Sequence, residues 1–319
     1  MHEVLSRLGE IGIVPVVKIE KASDAAALGR ALVAGDLPVA EITFRTVAAE
    51  EAIRILTREV PEILVGAGTV LTTDQADRAV AAGARFIVAP GFNPKVVDHC
   101  IARGVPMAPG ISSPSEVEMG LERGLSVLKF FPAGASGGLE YLKAIAGPFA
   151  GVQFMPTGGI EPGNLREYLS YDRVHAVGGT WIAKESMIAA GKFDEITRLA
   201  REAVQISLGF ELAHLGINES TADAALAGAE TMARLISFPV KVGNSSTFAG
   251  TGFEFMKSPY LGSHGHIAIA TNNITRAVAW MARKGVGVKK ETAKEKDGKM
   301  IAVYLDLEVA GFALHLLQK

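Results

Sequence analysis

The chain has 319 residues, 49% of them hydrophobic, with 32 Lys and Arg against 34 Asp and Glu for a formal net charge of −2. That length suffices for a full core and a second domain. The balanced charge, without basic or acidic blocks, argues against a nucleic-acid surface or a disordered tail and favours small metabolites as partners. Cys100 is the single cysteine, which excludes an intramolecular disulfide and a cysteine-rich zinc site and fits a reducing compartment, the cytoplasm. The opening stretch MHEVLSRLGEIG lacks an apolar signal core, and no apolar run approaches the ~20 residues of a bilayer span, so no membrane partner is expected.

From Ile13 to Val177, short β-rich runs alternate with Ala/Leu/Glu-rich helical stretches. IVPVVK (13–18) precedes a helix beginning near Ser23 and Asp24, VAEITF (39–44) precedes one over 47–59, and ILVGAG (63–68) one over 73–82. RFIVAP (85–90), VPMAPG (105–110), SVLKFF (126–131), VQFMPTGG (152–159) and RVHAVGG (173–179) follow, each ahead of a further helical pattern. Eight βα units in succession predict an α/β fold, a (β/α)8 TIM barrel, with a doubly wound open sheet as the competing architecture.

Barrel enzymes place their chemistry where strands end, so the polar residues there carry weight. Lys18 ends the first strand. Period-2 alternation puts Glu41, Thr43 and Arg45 on one face of the second. The third runs into Gly66-Ala67-Gly68-Thr69, and the fourth stops at Pro90-Gly91. The sixth carries Lys129 among apolar and aromatic residues, and Pro132 stops it. Two readings of Lys129 compete: a surface cation on an edge strand, or a buried amine that attacks a carbonyl, since desolvation favours the free amine over the ammonium. Glu41 beside it is either a structural ion-pair partner or a proton shuttle. Gly158-Gly159 after the seventh strand and Gly178-Gly179-Thr180 after the eighth could serve only as tight turns. Their pairing in the two loops where this fold binds phosphate favours an anionic substrate.

The motifs AEITFRT (40–46), VGAGTVLT (65–72), VLKFFPA (127–133), AGPF (146–149) and GPFAGVQFMPTGGI (147–160) resemble the signatures of the 2-keto-3-deoxy-6-phosphogluconate (KDPG) / 2-keto-4-hydroxyglutarate (KHG) aldolases, class I lyases with a barrel fold. The resemblance spans residues 1–208. It implies that Lys129 forms a Schiff base with the substrate's 2-keto group and that Glu41 is the general acid/base. It further implies that Arg45, Thr69, Pro90, Phe131 and Thr157 line the pyruvate end, and that Gly158, Gly159, Gly178, Gly179 and Thr180 bind phosphate. Some members have arginine where Lys18 stands; a lysine there attracts an anion as a point charge, without a guanidinium fork. The implied substrate is a phosphorylated or dicarboxylic 2-keto acid, the implied assembly a homotrimer, and no cofactor is required. The phosphogalactonate epimer is an alternative substrate, and a barrel serving as a phosphate-ligand sensor is the non-enzymatic alternative.

Residues 209–319 read as a second, smaller α+β domain built on an internal repeat. His214-Leu-Gly-Ile followed by Thr221 and Met232-Ala-Arg recurs as His266-Ile-Ala-Ile followed by Thr275 and Met281-Ala-Arg, which predicts two βαβββ modules. FEFMKSPYLGSHGHIAIATNN (253–273) and GFALHLLQ (311–318) resemble the vicinal-oxygen-chelate fold of glyoxalases and ring-cleaving dioxygenases. That resemblance implies a divalent-metal site at His214, Glu254, His266 and His315, with His315 standing where glyoxalase-type members have glutamate. The competing reading is a metal-free domain whose histidines pack or hydrogen-bond.

Overall fold

The computed structural model describes residues 2–319. The chain divides into two compact units, the first ending at Ser207 and the second running Leu208–Lys319. None of the described helices is long and apolar enough to cross a membrane.

The first unit is an aldolase-type α/β fold built on curled parallel sheet. Its strands are β1 Ile13–Val17, β2 Val39–Thr43, β3 Leu64–Gly68, β4 Ile87–Val88, β5 Met107–Ala108, β6 Gly110–Ile111, β7 Val127–Phe130, β8 Gln153–Pro156 and β9 Val177–Gly179. One sheet runs β5-β4-β3-β2-β1-β9 and another β6-β7-β8. The segment expected as a single fifth strand is split at Pro109, which has no N–H to give to a ladder but whose carbonyl accepts from the Lys129 N–H. Isolated parallel bridges at Phe154–Val174 and Thr157–Gly178 link β8 to the chain entering β9 and to β9 itself.

Strands covered on both faces are apolar along their whole length, and β1, β2, β3 and β7 are buried at every position. Against that rule, Glu41 and Lys129 stand out as charges placed where the pattern asks for Val or Leu. The helices between strands are fixed by local chemistry. Thr72 accepts from the Gln75 N–H ahead of helix Thr73–Ala81, and Asn93 accepts from the Lys95 N–H ahead of helix Pro94–Ala102, which has Pro94 in its first turn.

The second unit has strands β10 Glu211–Asn218, β11 Val240–Val242, β12 Ser246–Ala249, β13 Phe253–Met256, β14 Gly265–Thr271, β15 Val288–Lys296, β16 Lys299–Val309 and β17 Phe312–Gln318. Helix Ala222–Ile236 follows β10, and helix Ile274–Arg283 follows β14. All eight strands form one sheet, ordered β11-β12-β13-β10-β14-β17-β16-β15. β10 pairs parallel with β13 and β14 parallel with β17, while β10 and β14 run antiparallel at the centre, so the two halves mirror each other in connectivity. Each copy of the repeat has its own helix cap. Thr221 caps the first helix through the Ala224 N–H, and the residue that does the same for the second, through the Arg276 N–H, is Asn273 and not Thr275. Either residue type caps an N-terminus, so spacing from the preceding histidine was the safer guide than identity.

Candidate active site and a second polar cluster

In the first unit, β2 and β7 deliver Glu41 and Lys129 to one buried point. Glu41 is fully buried and Lys129 5% exposed, and Lys129 Nζ lies 3.3 Å from Glu41 Oε1. The surface-cation reading of Lys129 is therefore excluded. Glu41 Oε2 has no hydrogen-bond partner, which leaves one carboxylate oxygen facing the site unengaged. Lys129 Nζ also sits 5.3 Å from the centre of the Phe131 ring.

Glycine makes the room for this pair. A Cβ at Gly68 would overlap the Glu41 carboxylate, so β3 must be bare at that point. The chain then turns through Thr69, held at φ 57°, a left-handed conformation that costs a β-branched residue on the order of 1–3 kcal/mol. Thr43 donates its hydroxyl to the Val17 carbonyl at 2.8 Å, and Arg45 donates Nε–H to Thr43 Oγ1 at 3.2 Å. Of the expected common face, Thr43 and Arg45 are linked to each other and lead out to an exposed guanidinium, while Glu41 bonds Lys129 instead.

The glycine-rich ends of β8 and β9 lie side by side through the Thr157–Gly178 bridge. Gly158 and Gly159 have φ 89° and 82°, a conformation L side chains rarely adopt. Asn164 pins this loop by donating Nδ2–H to the Gly159 carbonyl at 2.9 Å. A Cβ at Gly178 would strike Thr157, and one at Gly179 would strike the Trp181 ring. Thr180 is exposed beyond them, and Pro90 is half-buried. Lys18 is held by two carboxylates, Glu20 at 2.7 Å and Glu185 at 3.0 Å, and these hold its ammonium above the ordinary lysine value. Neither partner was legible as such in the sequence.

The second cluster lies in the other unit. His214 Nε2 and His266 Nε2 face each other at 3.1 Å, and each is 3.1 Å from Glu254 Oε2. With His315, the ring nitrogens of the three histidines fall within 4.8 Å of one another. Glu254 is pushed up by burial, but hydrogen bonds from His214, His266 and Ser246 outweigh this and hold its carboxyl well below the usual range. Burial, then the neighbouring His266 and His214, drive His315 down to about 3, so it stays a neutral imidazole with a lone pair to offer. Its buried Nε2 has no partner. All four residues expected to converge from separate strands do so, and their donors, three imidazole nitrogens and a carboxylate oxygen, suit a divalent transition metal by type.

Three supporting residues were missed. Ser246 donates to Glu254 Oε1 at 2.6 Å, and Tyr304 stacks on His315 with centroids 4.6 Å apart and planes 15° from parallel. Gly216 stands opposite His266 in the ladder, where a Cβ would overlap the imidazole. Only Gly216 carried a sequence signal, because a glycine interrupts the otherwise apolar HLGI run.

Comparison with known proteins agrees with the first site. The model of the KDPG and KHG aldolase family matches residues 4–199. The chain belongs to the KDPG/KHG aldolase family. The 2-dehydro-3-deoxy-phosphogluconate aldolase of Treponema pallidum is 48% identical over 206 residues, covering 65% of this chain and 98% of that protein. The KHG/KDPG aldolase of Escherichia coli K12 is 46% identical over 193 residues, covering 60% and 91%. Among solved structures, the KDPG aldolase of Legionella pneumophila with pyruvate captured as a covalent carbinolamine is 40% identical, with a TM-score of 0.61, and covers 62% of this chain and 97% of that one. The family match ends ahead of the second unit.

Proposed function

We propose that the first unit, whose end at Ser207 lies one residue before that of the domain expected over residues 1–208, is a class I aldolase. It cleaves 2-dehydro-3-deoxy-6-phosphogluconate to pyruvate and glyceraldehyde 3-phosphate, 4-hydroxy-2-oxoglutarate to pyruvate and glyoxylate, or both. The observation that carries this is the buried 3.3 Å approach of Lys129 to Glu41 in a chain of this family. We read the two parallel sheets as one (β/α)8 TIM barrel, joined at Pro109 and through the bridges beside β9, and assembled as a homotrimer.

The chemistry follows from those two side chains. The Lys129 amine attacks the substrate's C2 carbonyl to give a carbinolamine, and loss of water leaves a protonated imine. Glu41 takes the C4 hydroxyl proton as the C3–C4 bond breaks. The bonding pair flows into the iminium, giving an enamine while the aldehyde departs. Protonation of the enamine at C3 and hydrolysis release pyruvate and regenerate the amine. Arg45, presented by Thr43, holds the keto-acid carboxylate among Thr69, Pro90, Phe131 and Thr157. The glycine loops at Gly158, Gly159, Gly178 and Gly179, with Thr180, offer backbone N–H groups to a distal phosphate. The carbinolamine of the Legionella relative supports the first step, and a KDPG aldolase of Zymomonas mobilis solved with 3-phosphoglycerate, 40% identical with a TM-score of 0.59, supports the last assignment. The test is pyruvate release from both substrates with identification of the aldehyde; pyruvate from neither overturns the reading.

For the second unit we propose a vicinal-oxygen-chelate domain in which His214, Glu254, His266 and His315 hold a divalent metal. The convergence of three neutral-capable imidazoles and a carboxylate supports it, as does the twice-repeated βαβββ order. Such an ion supplies Lewis acidity toward an oxygen-bearing ligand when bound. Calorimetric titration with zinc tests it, and a full-length protein that takes up no metal contradicts it.

A further inference from the structure

The site's two rim cations are treated in opposite ways. Arg45 is exposed and, among the described residues, is bonded through Nε to the Thr43 hydroxyl and to no carboxylate. Lys18 is bonded to Glu20 at 2.7 Å and to both oxygens of Glu185, at 3.1 and 3.0 Å. Lys18 follows β1, which lies beside β9 with Pro15 opposite Gly179. Glu185 begins the helix Glu185–Ala189 just after the loop that leaves Gly179 and Thr180. The trio therefore sits at the end of the strands where the glycine loops would receive a distal phosphate, and it sets two carboxylates against one ammonium.

We propose that Glu185 determines specificity in this site by occupying, as an internal anion, the cation that a distal phosphate would otherwise take. The inference rests on the aldolase reading above. A phosphate carrying close to two negative charges must either displace Glu185 from Lys18 or approach a locally negative group. The distal carboxylate of 4-hydroxy-2-oxoglutarate, on a shorter chain with a single charge, stays nearer Arg45 and Lys129. Glu185 thus tilts this chain toward the dicarboxylic substrate and away from the phosphorylated one. It acts through Lys18 and touches no reacting atom, so it is a positioning residue.

The experiment compares kcat/KM of the full-length protein for 2-dehydro-3-deoxy-6-phosphogluconate and 4-hydroxy-2-oxoglutarate at low salt. Glu185→Gln, which keeps shape and removes charge, is expected to shift the ratio about five- to tenfold toward the phosphorylated substrate, the scale of one partly screened charge a few ångströms away. The shift arises in KM and not kcat, shrinks at high salt, and is erased by adding Lys18→Met. A ratio that stays put, or moves toward the dicarboxylate, overturns the proposal while leaving the aldolase reading intact. Pyruvate from neither substrate in the unaltered protein overturns both.

Discussion

The two units bury polar groups by opposite electrostatic rules. In the first, the Glu41 carboxyl and the Lys129 amino group sit in parallel strands whose other positions are apolar except Thr43, and they face each other across 3.3 Å. In the second, three imidazoles and a carboxylate meet on one mixed sheet, and His315 is driven down to about 3, toward its neutral form. The first set is complete in itself and suited to chemistry performed by the protein's own atoms. The second gathers lone pairs, the donor set on which the metal reading proposed above rests. Burying charge is costly in both cases, and it is offset by an ion pair in the first and by hydrogen bonds to Glu254 in the second.

The comparison is broken most severely at Glu41. Glu41→Gln keeps the volume and removes the acid/base, and turnover in pyruvate release should fall ~10²–10⁴-fold with the fold retained by circular dichroism. A near-normal rate would remove Glu41 from the proton transfers. In the second unit, Ser246→Ala frees one oxygen of Glu254, and zinc affinity measured by calorimetry should weaken roughly 10–100-fold. An excess of chelator should strip that site and leave pyruvate formation unchanged, which sharpens the division of labour; loss of cleavage would contradict it.

Smaller effects probe how each site is housed. Gly68→Ala puts a methyl into the Glu41 carboxylate, so it should destabilise the first unit by about 1–3 kcal/mol in urea titration and displace the acid. Cys100 is the mildest test. Burial, then Asp77, pushes its thiol up to about 11, so it should stay protonated and unreactive to a thiol reagent at pH 8 until urea unfolds the chain. Rapid labelling of the native protein would contradict that burial.

Much of this arrangement was legible beforehand because strand periodicity and strand ends are written in local sequence. Of the nine strands described in the first unit, all but β6, which runs one residue past the fifth run, fall within the β-rich runs read from the sequence, and Lys129 stood out since a charge inside an apolar run needs a reason. The four residues of the second cluster were named by the resemblance to the vicinal-oxygen-chelate fold, and the repeat itself paired only His214 with His266. What stayed hidden depends on contacts between segments far apart in the chain. Glu185 reaches Lys18 across 167 residues, and Tyr304 meets His315 only because β16 and β17 pair with those two residues opposite each other. Gly68 was visible only as part of the Gly66-Ala67-Gly68-Thr69 end of the third strand, whereas its lack of a side chain serves the carboxylate on the neighbouring strand.

The central claim is that one amine, on β7, bonds covalently to a keto acid. Incubating the protein with pyruvate and borohydride, then mapping the modified peptide by mass spectrometry, addresses it directly. A reduced adduct on the peptide holding Lys129, absent in Lys129→Ala, is the predicted result; an adduct on a different lysine, or none at all, would contradict it.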